Sequence, residues 1–129
     1  MNLTIVKGFD EIYIDSDLIL NGFAGSLKIK NKFTGFINAA EILSRSDDKS
    51  EKENLKNLFQ DVNILGFPFR YSETLASMIN SFSNKISLRE MIIGTLLIES
   101  RLPLLTDNIN LYKILSENFQ IKIIDSNNL

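Results

Sequence analysis

The sequence contains neither cysteine nor histidine. Without cysteine there can be no disulfide, no thiolate nucleophile and no zinc ribbon, which fits a reducing compartment. Without histidine, Ser-His-Asp triads, Cys-His pairs and His-ligated zinc or iron are excluded as well. Any catalysis must therefore rest on carboxylates, amides, hydroxyls, lysine or arginine. Among these groups, the oxygens of carboxylates, amides and hydroxyls are hard ligands that suit magnesium or manganese.

Long hydrophobic runs and an excess of basic charge are also missing. No apolar stretch approaches the roughly 18 residues of a membrane span, and the N-terminal MNLTIVKGFD lacks the apolar core of a signal peptide. We therefore expect a cytoplasmic protein without a membrane partner. Fourteen basic against 16 acidic residues give a formal charge of −2, which argues against a bulk-basic surface for nucleic acid.

The 129 residues, 44% of them hydrophobic and 23% charged, predict one domain over residues 1–129 with a substantial core. Strand-like runs alternate with helical patterns along the chain. The expected strands are EIYI, TGFI, NILGFPF, LPLLT and FQIKIID. This alternation, with no long linker and no internal repeat, predicts a three-layer α/β domain with a central parallel sheet of about five strands.

Acidic residues follow the predicted strands. Asp15 ends the first strand, and Glu41 lies in the first turn of the helix after the second. Glu90 opens the apolar helix of SLREMIIGTLLIESR, and the triplet TDN, residues 106–108, ends the fourth strand. The carboxyl ends of parallel strands share one edge of a sheet, so these side chains could converge on one pocket.

Each of these residues also has a purely structural interpretation. Asp15 can cap the helix that follows it, and Thr106 or Asp107 can cap INLYKIL. Glu41 can be an exposed acid near a helix N-terminus, where negative charge is favoured. SLRE is a capping box, which needs only a side-chain acceptor at Glu90. The case for function therefore depends on the set rather than on any single residue.

The order and spacing of these acidic and polar residues resemble the motifs of the PIN-domain nucleases, most closely the stand-alone bacterial and archaeal form known as VapC-type toxins. The resemblance extends from Glu11 to Asp125. IDSDLIL matches the family's apolar strand with Asp-Ser/Thr-x-apolar, and GFINAAEIL matches its strand and helix bearing Glu. REMIIGTLLIESRLPLLT matches an acid followed by an apolar helix. TDN matches the family motif Thr-x-Asp or Thr-x-Asn, and FQIKIID matches the family's closing strand.

The resemblance implies hydrolysis of RNA phosphodiester bonds by water activated on Mg²⁺ or Mn²⁺. It therefore favours an enzyme, a metal-dependent ribonuclease. It further implies a homodimer and a cognate antitoxin protein as partner. The implied catalytic residues are Asp15, Glu41, Glu90 and Asn108, the implied metal ligands Asp15, Glu41, Glu90 and Asp107, and the supporting residues Ser16 and Thr106. Two of these positions depart from the family pattern. The third acid is ordinarily Asp rather than Glu90, and Asn108 carries no charge.

The cluster LKIKNK places Lys28, Lys30 and Lys32 after the helix that starts beside Asp15. One interpretation is a solvated loop. The other is that the three ammonium groups contact RNA phosphates flanking the scissile bond, which would make the affinity depend on salt concentration.

Two alternatives to a nuclease remain. The departures at Glu90 and Asn108 favour a catalytically weak or inactive PIN relative that only binds RNA or a protein. YIDSDLI also resembles the Asp-x-Asp opening of haloacid-dehalogenase-like phosphatases, with Asp15 as nucleophile and Asp17 as acid. That match fails at Ile19, where the phosphatases usually have Thr or Val, and no acidic pair follows a late strand.

Overall fold

The central sheet is made of five parallel strands in a computed structural model that describes residues 3–129. The strands of the chain are β1 (Thr4–Ile5), β2 (Glu11–Ile14), β3 (Leu27–Lys28), β4 (Asn31–Gly35), β5 (Val62–Leu65), β6 (Leu104–Thr106) and β7 (Ile123–Asp125). The order in the sheet is β5-β4-β2-β6-β7. Strands β1 and β3 form a separate parallel pair, which the sequence patterns did not predict.

Helices cover both faces of this sheet. They are α1 (Ser16–Leu20), α2 (Phe23–Ser26), α3 (Phe36–Leu43), α4 (Lys49–Lys56), α5 (Ser72–Phe82), α6 (Leu88–Ser100) and α7 (Lys113–Asn118). Tyr13 packs into the core beneath α5 and α6, whereas its neighbours Ile12 and Ile14 pack into the core beneath α1 and α3. This alternation along one strand separates two hydrophobic cores. The predicted three-layer α/β architecture is confirmed.

Strands β2 and β6 lie at the centre because both of their faces are apolar. Ile12, Ile14, Leu104 and Leu105 are fully buried, as expected for strands of a parallel sheet covered on both sides. From β2 the chain continues to β4 on one side, and the later strand β6 pairs with β2 on the other. The strand order therefore reverses between β2 and β6, and ligand sites of open α/β sheets form at such points.

Two predicted boundaries differ from the structure. The sequence pattern of LILNGFAGSLKI predicts one helix, but the structure divides it into α1 and α2, because Gly22 adopts a left-handed φ of 85° between them. The residue type of Asn38 predicts an N-cap for α3, but Asn38 is the third residue of the helix, because β4 extends to Gly35 and the helix starts at Phe36. Glu41 therefore lies beyond the first turn of α3, in which it was expected. Over residues 3–129, no helix has both the length and the apolar character needed to cross a membrane.

Candidate functional site at the carboxyl edge of the sheet

Asp15 is the centre of a buried polar cluster at the carboxyl end of β2. It caps α1, with Oδ1 accepting a hydrogen bond of 2.9 Å from the backbone N–H of Ser16. The same oxygen accepts a bond of 2.8 Å from the hydroxyl of Tyr112, and Oδ2 accepts one of 2.8 Å from Thr106. Only 4% of Asp15 is exposed. Donors from three parts of the chain therefore hold this carboxylate in one position.

Asn38 ties α3 to the same cluster. Its Nδ2 donates a hydrogen bond of 2.8 Å to Oγ of Ser16, and a longer contact of 3.5 Å reaches Oδ1 of Asp15. Its Oδ1 accepts from the hydroxyl of Tyr13 and, at 3.3 Å, from the backbone N–H of Gly35. Asn38 is fully buried, so every polar atom of its side chain must find a partner. The amide thereby fixes the hydroxyl of Ser16 beside Asp15.

Arg89 lies between Asp15 and the second carboxylate, Glu41. Nε of Arg89 donates a hydrogen bond of 2.6 Å to Oε2 of Glu41, while Nη2 lies 3.5 Å from Oδ1 of Asp15. Nη1 donates to the hydroxyl of Tyr112 at 3.1 Å. The other oxygen of Glu41, Oε1, accepts a bond of 2.9 Å from the hydroxyl of Ser16. One guanidinium thus bridges two carboxylates that belong to different elements.

The charges of this cluster act on one another. Burial alone would lower the pKa of Arg89, but the contacts with Glu41 and Tyr112 together outweigh burial, and the pKa of Arg89 is raised above its ordinary value. Burial raises the pKa of Tyr112 well above its ordinary range, and the negative charge of Asp15 raises it further. The same two causes raise the pKa of Tyr13. Arg89 is therefore a permanent cation, and both phenols are neutral donors.

Sequence comparisons give no family for this chain, since no family model and no curated protein matches it at a significant level. Solved structures do match. A chain of VapBC-1 from nontypeable Haemophilus influenzae has a TM-score of 0.68 at 15% identity, covering 89% of this chain and 97% of its own. A chain of VapBC2 from Rickettsia felis, bound to a DNA fragment from their promoter, has a TM-score of 0.65 at 15% identity, covering 89% and 98%.

A third structure is VapBC-5 from Mycobacterium tuberculosis, a member of the VapBC family of toxin-antitoxin systems. Its TM-score is 0.69 at 12% identity, and the match covers 91% of this chain and 99% of that one. VapC proteins are PIN-domain toxins. The chain has the PIN-like fold. Identities this low show the fold alone, and the fold is the one that the motif order predicted.

On this PIN-like fold, the expected convergence of Asp15, Glu41 and Glu90 does not occur. Glu90 accepts a hydrogen bond from the hydroxyl of Ser87, whose Oγ accepts one of 3.2 Å from the backbone N–H of Glu90. Glu90 thus lies against the N-cap of α6, with the Ser87 half of the predicted capping box in place and its own side chain on the hydroxyl of Ser87. Adjacent residues of a helix point about 100° apart. Arg89, rather than Glu90, is therefore the residue that faces Asp15.

The triplet TDN is divided between two roles in the PIN-like fold. Thr106 binds Asp15, as described above, and also accepts a bond of 3.0 Å from the backbone N–H of Asn108. Asn108 caps the short 3₁₀ helix Ile109–Tyr112, its Oδ1 accepting from Leu111 at 3.4 Å. Asp107 is exposed. Within residues 3–129, no three or more acidic side chains are grouped closely enough to hold a metal ion.

The lysine cluster lies at the other end of the sheet. Lys32 pairs with Ile12, three residues before Asp15, and Lys28 pairs with Ile5 on β1. The ammonium of Lys32 donates to the carbonyl of Ala24 at 2.8 Å. The lysines lie away from Asp15 because α1 and α2 carry the chain back to the amino edge before β4 begins. Whether Lys28, Lys30 and Lys32 bind RNA stays a prediction.

A pocket of about 140 Å³ opens beside the polar cluster. Glu41, Arg89 and Ser16 line it from the cluster, and its outer wall is formed by Asp17, Leu20, Ile42 and Arg45. A divalent ion at this edge would need several oxygen ligands. Asp15 and Glu41 are the carboxylates of the cluster, and a guanidinium already bridges them, while the third carboxylate nearby, Asp17, lines the pocket beside another cation, Arg45. In this arrangement the residues do not fit a bound Mg²⁺ or Mn²⁺.

Four members of the site were not among the predicted site residues: Tyr13, Asn38, Arg89 and Tyr112. Tyr13 was considered only as a strand residue and Asn38 only as a helix cap. Tyr112 comes from INLYKIL, which was considered only as a helix. One signal for Arg89 was available. An arginine at the first turn of a helix opposes the helix dipole, so its position there calls for anionic partners elsewhere.

Proposed function

We propose that this chain is the VapC-like member of a toxin–antitoxin pair and that its metal-dependent ribonuclease activity is weak or lost. The matching structures are VapBC complexes, and they support a toxin-type chain with an antitoxin as partner. We further propose that residues 1–129 act as a single PIN-like domain and that the protein forms a homodimer. The fold gives no support to the phosphatase alternative.

The position of Arg89 is the observation that carries this proposal. The guanidinium is 2.6 Å from Glu41 and 3.5 Å from Asp15, in the space that a metal bound by both carboxylates would need. The local charge of these three groups is −1, so the attraction for a divalent cation is halved relative to two free carboxylates. Without a bound metal, no water is activated for attack on a phosphodiester.

A second candidate is the full Mg²⁺- or Mn²⁺-dependent endoribonuclease. One observation favours it. Glu90 is next to Arg89 in the first turn of α6, and Glu41 and Arg89 both border an open pocket. In that proposal Asp15, Glu41 and Glu90 are the ligands, with Asn108 or Asp107 at the fourth position. It requires the side chain of Arg89 to leave the cluster and Glu90 to replace it.

RNA cleavage separates the two candidates. The purified chain is incubated with a single-stranded RNA in Mg²⁺, in Mn²⁺ and in a chelator, beside Asp15→Asn and the matched control Asp10→Asn, whose side chain is exposed. We expect the wild type and Asp15→Asn to cleave RNA equally slowly in every condition. Metal-dependent cleavage that Asp15→Asn and Glu41→Gln abolish, and Asp10→Asn does not, would establish the endoribonuclease instead.

The partner proposals have their own tests. Light scattering on the purified chain measures its mass, and a dimer is expected. Co-expression with the product of a neighbouring gene, followed by purification through a tag on this chain, is expected to yield a stoichiometric complex. A monomer that binds no such product would overturn the assignment to a toxin–antitoxin pair.

A further inference from the structure

We propose that Arg89 is a built-in cation that takes the place of a divalent ion between Asp15 and Glu41, and that removing its charge turns the cluster into a binding site for Mn²⁺. The inference rests on the proposed loss of metal-dependent activity and deepens it, because it makes the charge of Arg89 the cause, and its test requires neither RNA nor an antitoxin. It can therefore fail or succeed independently of the toxin–antitoxin assignment.

The contacts of Arg89 are those of a bound cation. Each of its three guanidinium nitrogens has an oxygen partner, at 2.6 Å on Glu41, 3.1 Å on Tyr112 and 3.5 Å on Asp15. These oxygens come from α3, the 3₁₀ helix after β6 and the end of β2. A metal ion at this position would join the same three parts of the chain.

Charge balance supports the same conclusion. Among residues 3–129, Arg89 makes the only ion pairs of Asp15 and of Glu41. Only 6% of the side chain of Asp15 is exposed, so water compensates little of its charge. A variant without the guanidinium holds two carboxylates close together with no cation between them. Such a pair either takes up a proton or binds a cation, and a divalent ion is the stronger neutraliser.

The oxygens left behind suit a small hard cation. Asp15 and Glu41 offer carboxylate oxygens, and the hydroxyl of Ser16 touches Glu41 at 2.9 Å. Mg²⁺ in proteins is commonly bound by one or two carboxylates and keeps several of its waters, and Mn²⁺ accepts the same oxygen ligands. The pocket of about 140 Å³ beside Glu41 and Arg89 has room for those waters.

The experiment is a Mn²⁺ titration by calorimetry, paired with the melting temperature measured with and without Mn²⁺, all in the absence of RNA. The proteins are the wild type, Arg89→Gln, Arg89→Asp and the control Arg70→Ala, which removes an exposed arginine outside the cluster. We expect Arg89→Gln to bind Mn²⁺ at least about tenfold more tightly than the wild type. Arg89→Asp, with a third carboxylate, should bind more tightly still, and Arg70→Ala should equal the wild type.

Two further variants keep the test decisive. Arg89→Lys retains a cation and is expected to bind Mn²⁺ as poorly as the wild type, whereas Arg89→Gln combined with Asp15→Asn should lose the gained affinity. If Arg89→Gln folds only when Mn²⁺ is present, that rescue supports the inference. Wild-type binding as tight as that of Arg89→Gln would overturn it. So would Mn²⁺ that neither binds nor rescues Arg89→Gln and Arg89→Asp.

Discussion

The hydroxyl of Thr106 and the carboxylate of Asp15 are joined by a hydrogen bond of 2.8 Å that links β6 to the end of β2. Both residues are buried, so Thr106→Val leaves Oδ2 of Asp15 without this donor and out of reach of water. We expect a loss of about 2 kcal/mol in the free energy of unfolding, because the acceptor is charged. Urea denaturation measures it. Thr106→Ser keeps the hydroxyl and should lose clearly less; equal losses would contradict the role of this bond.

The two buried phenols predict a loss of stability in alkali. The pKa values of Tyr13 and Tyr112 are raised in the folded chain by burial and by Asp15, whereas tyrosine in the unfolded chain ionises near pH 10. Their contribution is complete below pH ~10 and falls above it, by about 1.4 kcal/mol per pH unit for each phenol. Denaturation curves between pH 8 and 11 should decline less steeply for Tyr112→Phe than for the wild type. Parallel declines would refute the prediction.

Gly35 allows the close approach of Tyr13 and Asn38. A Cβ at residue 35 would collide with the hydroxyl of Tyr13 and lie 2.7 Å from Cδ1 of Leu96. Gly35→Ala must therefore displace the side chains that hold Ser16 beside Asp15, at a cost of about 1–3 kcal/mol. Gly66→Ala is the matched control, because nothing lies within 4 Å of the added methyl there. Melting temperatures that fall equally in both variants would contradict this account.

Glu90 tests the capping role that the structure assigns to it. Glu90→Gln keeps an acceptor for the hydroxyl of Ser87 and should retain most of the stability, whereas Glu90→Ala should lose on the order of 1 kcal/mol. Neither change should alter the affinity for Mn²⁺, because Glu90 is bound to Ser87 and not to the Asp15 cluster. Calorimetry on both variants measures this. A loss of Mn²⁺ affinity in Glu90→Gln would return Glu90 to the set of metal ligands.

The parts of this fold that depend on local pattern could be predicted from the sequence. Short apolar runs at Ile12–Ile14 and Leu104–Leu105 marked the central strands, and the capping box marked the start of α6. Asp15 and Glu41 both lie at the carboxyl edge of the sheet, where Arg89 bridges them, because the carboxyl ends of parallel strands share one edge. These features follow from the spacing of residues along the chain.

The rotation of a helix about its axis does not follow from such spacing. Helix α6 is apolar around most of its circumference, so its pattern shows no single inward face, and either Arg89 or Glu90 could point at the sheet edge. The place of Lys32 at the amino edge of the sheet does not follow from residue spacing either. The two short helices after Asp15 return the chain to the amino edge. The sequence pattern suggested one continuous helix and did not show the break at Gly22.

Gly94 helps to determine that Arg89, and not Glu90, points at the sheet edge. A Cβ at Gly94 would lie 2.8 Å from Cδ2 of Leu115 and 3.2 Å from Cε of Met78. Turning α6 by one residue would carry Ile93 or Thr95 into that contact, and either side chain would force α5 and α7 apart. The absence of a side chain at Gly94 thus favours the rotation of α6 that places the positive charge of Arg89, five residues earlier, at the sheet edge. Substitution at Arg89 is therefore a more direct route to an acid facing Asp15 than rotation of α6 past Leu115 and Met78.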